Sequence, residues 1–223
     1  MKKIDYKWTA LSCTTLGALF SVLSGSTLLI ALPVIMKDLN TSMSIVTWTI
    51  MGYMLVMTIL VPSIGRMADM VGRKKLYVSG FALFTLTSFL CAISQTGVQL
   101  LIFRMIQAIG GALIVANSTA IVADAFPKRE LGKALGINSM IICVAAVAGP
   151  ILGGFLIGIG WRSIFYVNIP IGVIGTFWAL LKLKETRITS ERQKFDIKGT
   201  IAFSTGMLAL LIALTLGGFS GWF

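Results

Sequence analysis

The sequence predicts an all-α integral membrane protein of seven spans, six in one bundle and a seventh beyond a basic linker. Three observations lead there. The chain has 223 residues, 57% of them hydrophobic and only 12% charged, with a mean hydropathy of +0.92. A soluble domain of this length has too little interior to hide so much apolar surface. Charge-free windows recur at Trp8–Met36, Leu39–Gly65, Leu76–Phe103, Met105–Ala123, Ala134–Trp161, Ser163–Leu181 and Gly199–Phe223, each able to hold the roughly 20 apolar residues that cross a bilayer. Finally, if the N-terminus is cytoplasmic and each window crosses once, 16 of the 19 Lys and Arg residues fall on inner segments. That asymmetry sets the orientation, with the N-terminus inside and the C-terminus outside a cell membrane.

The first span, about 9–36, follows Lys2, Lys3 and Lys7. It is too long for a signal-peptide core and no small-x-small cleavage site is evident, so it reads as a retained span. A short outer loop with Lys37 leads to span two, 44–68, and a basic turn to span three, 76–95. Span four, 99–125, contains Arg104, and Lys128, Arg129 and Lys133 mark the next inner turn. Span five, 133–158, ends in the tight outer turn Gly160-Trp161-Arg162, from which span six, 163–183, returns. The polar, basic stretch from Lys182 to Lys198 is the one boundary in the chain. The expected domains are a six-span unit over 1–183, a cytoplasmic basic linker over 184–198, and a seventh helix within 199–223 that has no partner.

Arg104 is the most informative residue. It stands alone between uncharged stretches, in Leu101-Ile102-Phe103-Arg104-Met105-Ile106-Gln107-Ala108-Ile109-Gly110-Gly111. Leaving it in lipid costs at least roughly 2.5–3.5 kcal/mol, so it must face protein or a water-filled cavity. Gln107, at i+3, shares its helix face, and the pair are candidates to line one polar cavity. The residues alone leave open a structural arginine bonded to neighbouring carbonyls.

Between spans two and three runs Gly65-Arg66-Met67-Ala68-Asp69-Met70-Val71-Gly72-Arg73-Lys74-Lys75, whose chemistry suits a gating latch. Gly65 is expected to admit close helix contact and Gly72 to make the tight turn. Asp69 is expected to cap a helix N-terminus or to pair with Arg73, and Lys74 belongs to the same basic cluster. In span five, Pro150 removes a helix hydrogen bond while Gly149, Gly153 and Gly154 strip side chains from one face, which predicts a bendable, closely packed helix.

Together these segments resemble the N-terminal half of a major facilitator superfamily transporter, in the fourteen-span drug:proton antiporter branch. Gly65–Lys75 resembles that superfamily's loop motif. Arg104, Gln107, Gly110 and Gly111 resemble its fourth-span motif, and Ala145–Gly154 its fifth-span antiporter motif. Trp161–Pro170 and Phe195–Gly199 resemble the starts of its sixth and seventh spans. The resemblance implies a six-helix N-terminal half-bundle plus a seventh transmembrane helix. It also implies efflux of amphipathic small molecules driven by proton influx, with Arg104 taking part in proton coupling and the fifth-span motif packing against the other half. The implied partners are the lipid bilayer, a small-molecule substrate, protons, and a second half-transporter or another copy of the chain.

Three departures from the pattern matter. Ser24 occupies a position where many drug antiporters of this branch have an aspartate, and no Asp or Glu lies in the middle of any span. Arginine stays protonated and cannot serve as the switchable carrier. Leu131 stands where an arginine is usual, which weakens one inner charge network. The chain also ends one helix into the second half, so a truncated, non-transporting remnant or a half-transporter subunit is the alternative expectation.

Other classes are disfavoured. The net charge of +11 is spent on topology and lipid headgroups rather than on a nucleic-acid patch. The chain has no histidine, no spanning carboxylate pair, no G-x-S-x-G and no mid-membrane lysine for a retinal Schiff base, so catalysis has no visible machinery. Cys13, Cys91 and Cys143 lack CxxC spacing and read as small buried hydrophobes. Neither a metal nor a cofactor is implied.

Overall fold

A computed structural model of the protein describes residues 6–185 and 197–220. Seven α-helices follow in chain order: α1 (Tyr6–Asp38), α2 (Met43–Val71), α3 (Arg73–Ala92), α4 (Gly97–Ala125), α5 (Lys128–Ile159), α6 (Ser163–Lys182) and α7 (Ile197–Ser220). Six of them, α1 to α6, are long and apolar enough to cross a membrane. The protein is a multi-pass, all-helical membrane protein.

Several helices run past the apolar windows because charge marks the membrane edge, not the end of a helix. α1 takes in Lys37 and Asp38. α5 begins at Lys128 rather than near 133, set off by Pro127 at φ −65° with Glu130 in its first turn, where an acid favours the helix dipole. Ser42 and Thr96 cap α2 and α4 by accepting from the Ile45 and Gln99 amides at 3.4 and 3.2 Å. The Gln99 carboxamide accepts from the Gln95 amide at 3.0 Å, closing the α4 start from both sides.

In a bilayer, small and polar residues mark the inward face, since apolar side chains lose nothing by meeting lipid. Thr14, Ser21, Ser24 and Thr27 of α1 are buried, as are Gln107, Asn117 and Ser118 of α4, whereas Phe155 and Ile159 of α5 are exposed. α4 packs against α1, α2 and α3, while α1 also packs against α5 and α6, so α1 and α4 occupy the middle of the bundle. α3 crosses α4 backbone to backbone: a Cβ on Gly110 would lie 2.9 Å from the Gly80 carbonyl oxygen and 2.8 Å from the Phe84 amide nitrogen. An aromatic cluster fills the space beside that crossing. Phe20 stacks on Phe81 at 5.7 Å, and the buried Tyr77 hydroxyl donates to the Cys13 carbonyl at 2.8 Å.

The expectation of an isolated seventh helix does not hold. α7 lies along α2, and its Leu208 joins Leu55, Ile59, Met105 and Ile109 around an apolar groove of about 410 Å³.

Candidate transport site

Arg104 lies inside the bundle and is 1% exposed. It bonds to side chains, not to helix carbonyls. Its Nη1 donates to Gln107 Oε1 at 2.6 Å and to Ser24 Oγ at 3.4 Å. Gln107 in turn donates to Ser88 Oγ at 2.6 Å, and Ser88 to the Phe84 carbonyl at 2.7 Å. Asn168 Nδ2 donates to Ser24 Oγ at 3.0 Å. The guanidinium carbon sits 4.4 Å from the Tyr53 ring centroid and 5.9 Å from that of Phe165. The network therefore joins α1, α2, α3, α4 and α6. The shared face expected of Arg104 and Gln107 is present, as a direct bond. Helix packing encloses both side chains, with Gln107 0% exposed. Nothing in the pattern around Ser88 or Tyr53 singled either out, because a serine or tyrosine in a membrane helix is common.

At the basic end of the bundle, one residue separates α2 from α3. Gly72 has φ +111°, a left-handed conformation that side chains resist. Its amide donates to the Ala68 carbonyl at 3.0 Å. Asp69 pairs with Arg73, which reaches Asp69 Oδ1 at 2.7 Å and Asp124 Oδ2, at the end of α4, also at 2.7 Å. Arg73 Nη1 donates to the Ala120 carbonyl at 3.0 Å as well. The helix N-terminus expected for Asp69 goes to Glu185 instead, whose carboxylate accepts from the Lys74 amide at 3.1 Å. A Cβ on Gly72 would lie 2.6 Å from that carboxylate, a second reason for glycine there. Gly65 does not make the close contact expected of it: nothing lies within 4 Å of where its Cβ would be. Asp124 had one legible signal, as the lone acid closing the uncharged stretch Met105–Ala123. Glu185 had none, since its partner is distant in sequence. Leu131, in the arginine position, packs beside Val122, Phe126 and Ala134.

The fifth-span motif divides between two faces. Gly149 meets Ser26, and a Cβ on Gly153 would be 2.7 Å from the Thr27 carbonyl oxygen, so both glycines seat α5 on α1. Gly154 faces open space, which corrects the expectation of a single stripped face. The helix continues through Pro150.

The opposite end is tied by Asp38, which accepts from Trp161 Nε1 at 2.8 Å and Arg162 Nη1 at 2.6 Å. Arg162 Nη2 also donates to the Ser94 carbonyl at 3.0 Å. Ends of α1 and α3 are thus fastened to the α5–α6 turn.

Residues 14–223 match the profile of the Major Facilitator Superfamily. The chain belongs to that superfamily. It is 37% identical over 213 residues to the riboflavin transporter RibZ of Clostridioides difficile (strain 630), covering 95% of this chain and 47% of that protein. It is 34% identical over 200 residues to the multidrug transporter protein MdtP of Bacillus subtilis (strain 168), covering 89% and 37%. Among solved structures, a bacterial homolog of the human lysosomal transporter Spinster, inward-facing and unoccupied, superposes with a TM-score of 0.71 at 19% identity, covering 88% of this chain and 47% of that one. That likeness concerns the fold alone. The chain spans less than half the length of these relatives. As a member of a superfamily of transporters, it is not an enzyme.

Proposed function

We propose that the chain forms the N-terminal half of a cell-membrane transporter that exports amphipathic small molecules in exchange for protons. One observation carries the reading. A permanently charged Arg104 is held at the junction of five helices by Gln107, Ser24 and two aromatic faces, where a purely structural bundle would have apolar packing. Intramembrane charge of this kind marks a substrate or ion path. RibZ and the multidrug protein MdtP are similar transporters of small molecules by their names, which supports the substrate class. Alternating access rocks two halves about a midplane site, so transport requires a second half, from the same polypeptide, a partner chain or a second copy. The Arg73 clamp and the turn at Gly72 then act as a gate at the cytoplasmic end. The described acids Asp38, Asp69, Asp124, Glu130 and Glu185 all sit at helix ends or just beyond them.

The test is dye efflux by the complete transporter in vesicles with an imposed pH gradient. Arg104→Leu is expected to lower efflux about tenfold or more, the cost of losing hydrogen bonds to a charged group, while inserting normally. Arg104→Lys recovers little, because an ammonium cannot copy the guanidinium fork. Normal efflux by the leucine variant removes Arg104 from the mechanism, and efflux that survives a protonophore removes the proton.

A further inference from the structure

The polar centre of the bundle has more donors than acceptors, and its charge is not balanced. Arg104 Nε is buried and has no hydrogen-bond partner. Arg104 Nη1 and Asn168 Nδ2 both converge on one neutral oxygen, Ser24 Oγ, at 3.4 and 3.0 Å. The first of these is at the outer limit of a hydrogen bond, so little is lost if another acceptor replaces it. No acid stands near. Among the described residues the ion pairs join Lys7 to Glu130, Arg73 to Asp69 and Asp124, and Arg162 to Asp38, all toward the ends of the bundle. Around the guanidinium lie Gln107, Ser24, the faces of Tyr53 and Phe165 and, within electrostatic reach, the buried Cys91.

A guanidinium cannot shed its proton to escape this situation. An unpaired charge away from water is strongly unfavourable, and even a well-made buried ion pair only offsets its desolvation. A carboxylate at residue 24 would have met both converging donors, but the chain places a hydroxyl there.

We propose that Arg104, Asn168 and Ser24 form an anion-binding cradle, and that the counter-charge arrives with a ligand as a carboxylate or a small inorganic anion. The proposal rests on the transporter reading above and narrows its substrate class to compounds that carry, or travel with, a negative charge. The anion takes the position between Arg104 and Asn168, engages the idle Nε, and displaces the long Arg104–Ser24 contact. Because the network touches five helices, binding there alters how α1, α4 and α6 are held together.

The experiment uses the purified complete transporter in detergent, with two probes. In the first arm, sodium chloride is titrated while thermal unfolding is followed, with Arg104→Gln as the matched control for general salt effects. In the second, a fluorescent dye bearing a free carboxylate is compared with its methyl ester by equilibrium binding. The wild type is expected to show a saturable rise in unfolding temperature with chloride, or to bind the free acid at least about tenfold more tightly than the ester. The first result identifies a free inorganic anion, the second the ligand's own carboxylate. Arg104→Gln should lose the response. Ser24→Asp, which supplies the charge covalently, should also lose it while remaining folded. If that variant does not fold, Asn168→Leu serves instead and should weaken the response about tenfold, since it removes one of the two donors that converge on the site; an unweakened response in that variant also overturns the proposal. A wild type indifferent to both probes, or a response that persists in Arg104→Gln or folded Ser24→Asp, overturns the proposal. Binding without dye efflux retires the transport reading and leaves the cradle standing, whereas efflux without any anion response does the reverse.

Discussion

Gly149 and Gly153 lie one turn apart on α5, and a side chain at either would meet α1. At Gly149 the obstacles are the Ser26 hydroxyl, which can turn aside, and the Ser26 Cβ at 2.7 Å, which cannot; at Gly153 the nearest atom is the Thr27 backbone carbonyl oxygen, also fixed. Gly154, the next residue, faces open space. Gly153→Ala is therefore expected to destabilise by about 1–3 kcal/mol, the usual cost of overpacking. Gly154→Ala should be neutral or slightly stabilising, since alanine is the better helix former by roughly 0.8–1.0 kcal/mol. Thermal unfolding in detergent measures both. Equal shifts for the two variants would mean that the α1–α5 seat does not limit side-chain size.

At the level of elements, the turn between α2 and α3 is positioned by α4 and by the segment after α6. Arg73 is the hub, and its two acids are unequal: the Asp124 side chain is 22% exposed and that of Asp69 46%. Solvent screening weakens exposed pairs to about 0–1 kcal/mol. A double-mutant cycle of Arg73→Ala with Asp124→Asn should give a coupling near 1 kcal/mol, larger than the cycle with Asp69→Asn. A larger coupling to Asp69 would place the tie within the helical turn rather than between α2–α3 and α4. Glu185 belongs to the same assembly. Through its bond to the Lys74 amide it brings the residues that follow α6 onto the first turn of α3.

For the whole molecule, the expected orientation rests on the distribution of basic residues, and it can be measured. Ser42 and Lys184 are both exposed, at opposite ends of the bundle. In a protein whose exposed Cys143 has been replaced by serine, Ser42→Cys should react with a membrane-impermeant maleimide added to intact cells. Lys184→Cys should react only after the membrane is opened. Labelling of the second site from outside would reverse the orientation and move the Arg73 clamp to the external face. Lys37 and Arg162 lie at the external end in this topology, and Arg162 is neutralised there by Asp38 at 2.6 Å.

The spans, their order and the short turns were legible in the residues because the bilayer imposes a length and a polarity that each segment satisfies by itself. Arg104 and Gln107 were legible for the same reason, since one charge in an apolar run must be sheltered. The tight turn at Gly72 and the Asp69–Arg73 pair were local, and so readable from spacing. What the sequence left open was which residues shelter the charge: Ser88 and Asn168 lie 19 and 144 residues from their partners. Asp124, Glu185 and Asp38 found their roles the same way, through helices brought together. Tertiary structure decided that Gly149 and Gly153 seat α5 on α1 while Gly154 and Gly65 meet nothing. It also decided that α7 rests on α2. Hydropathy constrains each helix along its own axis, but rotation about that axis and choice of neighbour are settled only when seven such helices pack.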